Sequence, residues 1–395
     1  LFAAVAAALG PAGAGREDHR RALYGTRARY RSAEELFGRD LEPLERMLNH
    51  CAGIARGLHR VGERAAEVGR GGAGEELAGE LEQVAGRFAA LGGDLEALGD
   101  AHDPEFVYWR TSGARGVELK AAPITVGDHA RRLVLGRGQA AILTSATLSA
   151  GGEFAFVAER LGLGDAHDMP YETASVPSPF PLARQMEAYV YDGGGDEASV
   201  VSDVVAALAA EHAGNMLVLF TAHERLRRAR TRLKELLPRD TTLLAQDWDG
   251  PAGLLAERFR IERGAILLGV QSLWEGVDFP GEALEILVVA KLPFSVPDDP
   301  LIEARAERLR DQGMDPFMQD AVPEAVLRFR QGVGRLIRRS DDRGVLVVCD
   351  PRLVTAGYRR AFLDALPVAP RVARDPRALA AEAARFLAGA AEAPR

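Results

Sequence analysis

Lysine is nearly absent. Only Lys120, Lys234 and Lys291 occur among 49 basic residues, and none of them follows a glycine or precedes a serine or threonine. That excludes a Gly-Lys-Ser/Thr phosphate loop anywhere in the 395 residues. Cysteine is as scarce: Cys51 and Cys349 are the only two, which rules out a four-thiolate cluster within the chain and suggests a reducing compartment. Long apolar runs are missing too. Leu1-Phe-Ala-Ala-Val-Ala-Ala-Ala-Leu9 is far too short to span a bilayer and has no basic segment before it, so it reads as a helix end and no membrane is expected. A formal net charge of -8 excludes a uniformly basic nucleic-acid coat while leaving room for a local basic groove.

The length predicts two or three domains, and 47% hydrophobic with 27% charged residues is the composition of a globular protein. The sequence starts with Leu rather than Met, which gives the expectation that residues are missing upstream. Phe37, Leu41, Leu44, Leu48, Cys51, Ala55 and Leu58 alternate at spacings of four and three, and after a glycine-rich turn the alternation resumes at Leu77, Leu81, Val84, Phe88, Leu91, Leu95 and Leu98. This predicts a helical hairpin with coiled-coil-like seams. From Pro104 the pattern changes to short strands at Phe106–Trp109 and Gly116–Lys120, a helix over Val126–Leu135, and a buried strand at Gln139–Leu143 that ends in Thr144-Ser-Ala-Thr-Leu148.

Beyond the proline-rich stretch Val176–Pro181, strands and helices alternate to the end of the chain, which is the pattern of a mainly parallel sheet with helices on both faces. Polar residues cluster after the strands: Thr221, then Gln271-Ser-Leu-Trp-Glu-Gly-Val-Asp278, then Lys291-Leu-Pro-Phe294. Glu275 and Asp278 around Gly276 suit metal-water or ribose contacts at a sharp turn, and equally a polar turn beside a buried Trp274. The basic helix Glu224–Leu237 reads as a solvated face, with phosphate contact as the alternative. Asp196-Glu-Ala-Ser199 follows three glycines and reads as a helix start.

The densest feature is Gln331-Gly-Val-Gly-Arg-Leu-Ile-Arg338. Placed on a helix at about 100° per residue, Val322, Val326, Phe329, Val333, Leu336 and Ile337 fall on one side, and Gln331, Arg335 and Arg338 on the other. Gly332 and Gly334 inside such a helix each cost roughly 1 kcal/mol relative to Ala. The close approach of another backbone or a ligand is the expected reason for them.

Taken in order, Thr144-Ser-Ala-Thr-Leu148, Leu217-Val-Leu-Phe-Thr221, Ser272-Leu-Trp-Glu-Gly-Val-Asp278 and Gln331–Arg338 resemble the later motifs of superfamily 2 helicases, most closely the DinG and XPD type of iron–sulfur DNA helicase. The resemblance covers roughly residues 104–365. It implies an α/β fold: a RecA-like doubly wound motor domain, a remnant of a first motor domain, and an inserted helical hairpin like the family's arch. The implied boundaries are 1–24 for the tail of the first motor domain, 25–103 for the arch, 104–150 for the return to the first domain and 151–395 for the second.

By resemblance, Arg335 and Arg338 reach the γ-phosphate of ATP and Gln331 contacts the nucleotide region. Glu275, Gly276, Asp278 and Gly334 belong to the nucleotide side, and Ser145, Thr147, Thr221, Ser272 and Trp274 couple it to single-stranded DNA. The cofactors implied are ATP and Mg2+, with metal ligands mostly upstream of this chain. An iron–sulfur cluster is compatible with the full-length protein but not with this chain. The implied partners are single-stranded DNA and the missing N-terminal motor domain, the implied location is cytoplasmic, and the implied setting is DNA repair or replication. The chain alone is expected to be inactive. Two other readings stay open: a motor-dead DNA-binding adaptor, and a free-standing nucleotide-binding transferase that leaves both arginines unexplained.

Overall fold

A computed structural model of the chain describes residues 26–38, 41–69, 72–113, 116–149, 152–274, 284–296 and 298–389. They fall into two compact units: the chain up to Val126 together with Val296–Gln312, and Gly127–Ser295 together with Gly313–Arg395. No described helix is long and apolar enough to cross a membrane.

The first unit holds a three-stranded antiparallel sheet, β1 (Thr26–Tyr30), β2 (Phe106–Gly113) and β3 (Gly116–Pro123), in the order β1-β2-β3. Between β1 and β2 runs the expected hairpin of α1 (Glu42–Val68) and α2 (Ala73–Asp100). On α1 the predicted seam holds at Leu44 and Cys51, which are buried, and Met47, outside the predicted set, is buried with them while Leu48 is half-buried. On α2 it is displaced by one residue at alternate positions. Ala85 and Gly99 are buried, whereas Leu77, Val84 and Leu91 are exposed. The reason is the closeness of the helices. A Cβ built at Gly99 would lie 2.8 Å from Cδ2 of Leu44, and one at Gly92 would lie 3.6 Å from Cβ of Cys51, so small residues occupy the seam where the backbones approach.

The helix Pro300–Asp311, to which the sequence reading assigned no element, belongs to this unit. Asp299 caps it by accepting from the Leu301 amide, and Pro300 takes the first turn, a start signal present in the sequence. Arg29 of β1 binds it through a two-pronged pair with Glu307, both contacts at 2.8 Å.

The second unit is built on a seven-stranded sheet: β4 (Met186–Tyr191), β5 (Met216–Leu219), β6 (Leu243–Ala245), β7 (Ile266–Gly269), β8 (Ile286–Val289), β9 (Gly344–Val348) and β10 (Arg371–Ala373). The order is β10-β4-β9-β8-β5-β7-β6 and every pairing is parallel. Side chains alternate along each strand, so the sheet feeds two cores. Leu217, Leu219, Leu267 and Leu287 pack on one face with Val326 and Phe329 of α5 (Val322–Val333), while Val218, Leu268 and Val288 pack on the other with Val204 of α3 (Glu197–Glu211) and Leu233 of α4 (His223–Leu236). This is the doubly wound α/β architecture that the alternation predicts.

Asp196 caps α3 by accepting from the Ser199 amide, as a helix start should. The basic face of α4 is consumed by ion pairs: Arg225 with Glu197, Arg227 with Glu224, Arg228 with Asp196, Arg230 with Asp249 and Arg232 with Asp203. Those pairs favour the solvated-face reading over phosphate contact. The strand expected at Gln139–Leu143 does not form, and Ile142 is 88% exposed. A strand needs a paired neighbour, and no described strand pairs with this stretch.

The contrast between sheet and hairpin gives a direct stability test. Leu267→Ala, fully buried in β7, is expected to cost about 2–5 kcal/mol, whereas Leu77→Ala on the exposed flank of α2 stays within about 1 kcal/mol. Chemical denaturation of both variants checks this, and a costly Leu77→Ala would mean that this flank is covered.

Candidate functional site

The site grows from Trp274. β7 ends at Gly269, and a single helical turn, Gln271–Trp274, folds the chain back so that the indole is 3% exposed. Its Nε1 donates to the Phe220 carbonyl at 3.3 Å, at the carboxyl end of β5. The six-membered edge of the ring lies against α5. A Cβ built at Gly332 would fall 2.8 Å from Cζ3 and 2.9 Å from Cε3, closer than real carbon contacts permit. Gly332 therefore answers to an indole, not to a ligand or a second backbone.

The predicted single helix through Arg338 needs correction. α5 stops at Val333, and Gly334 caps it by donating to the Arg330 carbonyl at 2.9 Å. The following residues leave helical register, so the three polar residues part. Arg335 turns inward, is 5% exposed, and donates from Nε (3.1 Å) and Nη2 (2.6 Å) to the Trp274 carbonyl. Arg338 stays at the surface, where the Asp342 carboxylate accepts from its amide at 2.6 Å and from that of Arg339 at 2.8 Å. Gln331 is exposed as well, and its Nε2 donates to Oγ1 of Thr147 at 3.3 Å.

Ser145 and Thr147 are paired through their hydroxyls at 3.1 Å, and the Thr147 amide donates to Ser145 Oγ. Arg330 holds the same segment, donating to the carbonyl and hydroxyl of Ser149 at 3.1 and 3.0 Å. The structure thus brings together Ser145, Thr147 and Gln331 on one side of α5, and Trp274, Gly332 and Arg335 on another. Thr221, half-buried, follows the residue whose carbonyl receives the indole. Glu275, Gly276 and Asp278 lie outside the described residues, as does the side chain of Ser272.

The ion-pairing roles of two carboxylates, Asp350 and Glu197, escaped sequence reasoning. Asp350, 1% exposed at the end of β9, accepts from the Leu292 amide (2.9 Å), the Arg352 amide (3.1 Å) and Nη2 of Arg352 (2.6 Å). Burial alone would raise its pKa, but the Arg352 guanidinium and the two amides outweigh it and hold the carboxyl below its ordinary value. An acid at the carboxyl end of a strand followed by Pro-Arg was the available signal. Glu197 accepts from Arg225 at 2.9 Å and Lys291 at 3.1 Å, joining three elements. Burial pushes the Cys349 thiol up, which makes it a packing residue rather than a nucleophile.

An exposed guanidinium and amide, Arg338 and Gln331, suit phosphate and base or ribose edges. Among the described residues no group of three or more His, Cys, Asp or Glu could hold a metal ion.

Residues 205–369 match the family described as a helicase C-terminal domain. The chain is 38% identical over 281 residues to the Bacillus subtilis (strain 168) protein named 3'-5' exonuclease DinG, covering 67% of this chain and 30% of that protein. It is 36% identical over 302 residues to the Escherichia coli (strain K12) ATP-dependent DNA helicase YoaA, covering 74% of this chain and 44% of that one. It therefore spans less than half the length of these curated relatives. A solved structure named XPD_Helicase shares the fold, with a TM-score of 0.51 at 15% identity over 79% of this chain and 55% of that one.

Two outcomes test this arrangement. Gly332→Ala forces a methyl into the indole and is expected to cost about 1–3 kcal/mol; in a Trp274→Leu background most of that cost should vanish, and additive losses would show that the two do not touch. Asp350→Asn is expected to cost about 1–3 kcal/mol at neutral pH. Since the folded carboxyl lies below its unfolded value near about 3.9, its stabilisation is present above that pH and is lost as pH falls through the folded value. The wild type and Asp350→Asn should converge in acid unfolding curves, and a gap that stays constant would refute the pairing.

Proposed function

We propose, for a chain that carries a DinG/XPD-type helicase C-terminal portion, that it works as the second RecA-like motor domain (151–395) and arch-like insertion (25–103) of an ATP-dependent DNA helicase. Such an enzyme couples ATP hydrolysis to movement along single-stranded DNA and to unwinding in repair or replication. The observation that carries the reading is the bond from Gln331 to Thr147, made while Arg335 of the same stretch holds the Trp274 carbonyl. Segments distant in sequence, and individually weak as motifs, meet around one helix. A nucleotide-dependent shift felt by Gln331 would pass through its bond to Thr147 and on to Ser145, and one felt by Arg335 would pass to Trp274 and, through the indole, to the Phe220 carbonyl beside Thr221, where the DNA backbone is expected.

ATP with Mg2+ supplies the phosphoryl group to be transferred. Arg338, exposed, is placed in the role of stabilising charge that develops on it; Arg335 shares that role after release from the Trp274 carbonyl. A guanidinium suits the role because it is planar and always charged. Glu275, Gly276, Asp278 and Gly334 are assigned to the nucleotide side.

Without a Gly-Lys-Ser/Thr loop, the chain by itself is expected to release no phosphate from ATP, with or without DNA; turnover at a helicase rate after stringent purification would overturn the assignment. Joined to a motor domain that carries such a loop, Arg338→Ala should lower kcat by roughly 10³-fold with nucleotide binding nearly unchanged and stability within about 0.5 kcal/mol. Arg335→Ala should lower kcat and also destabilise by about 1–3 kcal/mol, because it abandons a buried carbonyl. Normal hydrolysis by both variants would make these arginines structural and sink the motor reading.

A further inference from the structure

Phe317 stands apart from the other apolar residues of the sheet unit. It is 41% exposed, the one phenylalanine among the exposed large apolar side chains described. It nevertheless sits on an ordered ladder of rings. It lies nearly parallel to Phe294, with centroids 5.4 Å apart and planes at 19°, and edge-on to Tyr358 at 5.2 Å. Phe294 in turn contacts Phe362 at 5.7 Å, and Phe362 contacts Phe329 at 5.6 Å, both fully buried. Arg352 covers another side of Phe294, 5.2 Å from its centroid, and is itself fixed by Asp350. The outermost ring is therefore held in orientation from below while one flank remains open.

Three further observations say what the open ring is for. Phe317 begins a π-helical turn, Phe317–Ala321, directly before α5, and its amide donates to Asp315 at 2.9 Å; such turns are uncommon and concentrate at functional sites. Phe294 lies on the loop that follows β8, at the carboxyl end of a parallel strand where α/β sheets meet their ligands, and Tyr358 caps the short helix Arg359–Leu363. Arg359 and Arg360, both exposed, follow Tyr358 directly, and the pair of Arg360 with Asp364 is a loose 3.5 Å contact at the surface. An aromatic face fixed by other rings, with Met314 and Met318 close to it in sequence at 40% and 47% exposed, and two exposed arginines directly after Tyr358, one of them donating to the Ala356 carbonyl at 3.3 Å, matches what single-stranded nucleic acid requires: a π-face for a base and cations for its phosphates.

We propose that Phe317 is a stacking platform for one base of single-stranded DNA, with Arg359 and Arg360 contacting the adjoining phosphates. This rests on the DNA-translocating reading above and adds a base-contacting site to it. The test measures fluorescence anisotropy of the 395-residue chain with an oligo-dT strand and with an abasic strand of equal length, beside photo-crosslinking to an iodouracil-substituted strand. Phe317→Leu keeps an apolar side chain in the ladder and should melt like the wild type, yet bind oligo-dT about tenfold more weakly. Its affinity for the abasic strand should not change, Phe317→Trp should restore oligo-dT binding, and the crosslink should map to 314–318 or Tyr358. Equal binding of oligo-dT by Phe317→Leu and wild type would overturn the platform alone. An equal loss on both strands would assign Phe317 a packing role and overturn it too. A wild-type chain that binds neither strand would bring down the DNA reading together with the platform.

Discussion

The candidate site depends on where one indole is put. Trp274 is wedged between the end of β5 and helix α5, donating to the Phe220 carbonyl on one side and offering its own carbonyl to Arg335 on the other. Its ring leaves no room for a side chain at 332, which is why the sequence tolerates a helix-weakening glycine there. The end of α5 follows from the same packing. With Gly334 closing the helix, Arg335 enters the protein, and Arg338 is carried to the surface instead of sharing its face. Ring, glycine and arginine are thus one constraint expressed at three positions. Loss of the ring leaves a cavity, loss of the arginine leaves a buried carbonyl without its donor, and a side chain in place of the glycine collides with the ring.

Around this wedge the charges are arranged by pairing. The chain is rich in arginine but acidic overall, and the cations of α4 meet carboxylates from α3, from the segment after β6 and from α4 itself. Exposed pairs of this kind stabilise little individually; their main effect is to remove most of α4 from competition for phosphate. Asp350 and Glu197 act differently, because their side chains are nearly inaccessible. Each ties a strand end to a neighbouring element, Asp350 binding the amide after β8 and Glu197 gathering Arg225 and Lys291. The loops on which Phe294 and Lys291 stand are therefore held from the sheet side.

Much of this was legible in the sequence, for physical reasons. The parallel sheet announced itself through short β-branched and leucine runs alternating with helical periods, and the hairpin through its spacing of threes and fours. Asp196-Glu-Ala-Ser199 was recognisable as a helix start. What failed did so where tertiary contact overrides local pattern. The α2 seam buries Ala85 and Gly99 and leaves Val84 and Leu91 exposed because helix approach favours small residues. The Gln139–Leu143 run has strand composition but no described partner. The split of Arg335 from Arg338 hinged on a helix that ends at Val333 instead of running through Arg338, and helix ends are the least certain part of a periodic pattern. Gly332 was rightly singled out as a close approach, but the approaching group was a side chain that no spacing rule places there.

The measurement that reaches the central claim most directly is a titration of the 395-residue chain with single-stranded and duplex DNA at low and moderate salt. If the chain is half of a motor track, as proposed, it grips a strand mainly through phosphates, and binding is weak, falls steeply as salt rises and prefers the single strand. Tight binding indifferent to salt, or a preference for duplex, would contradict the account.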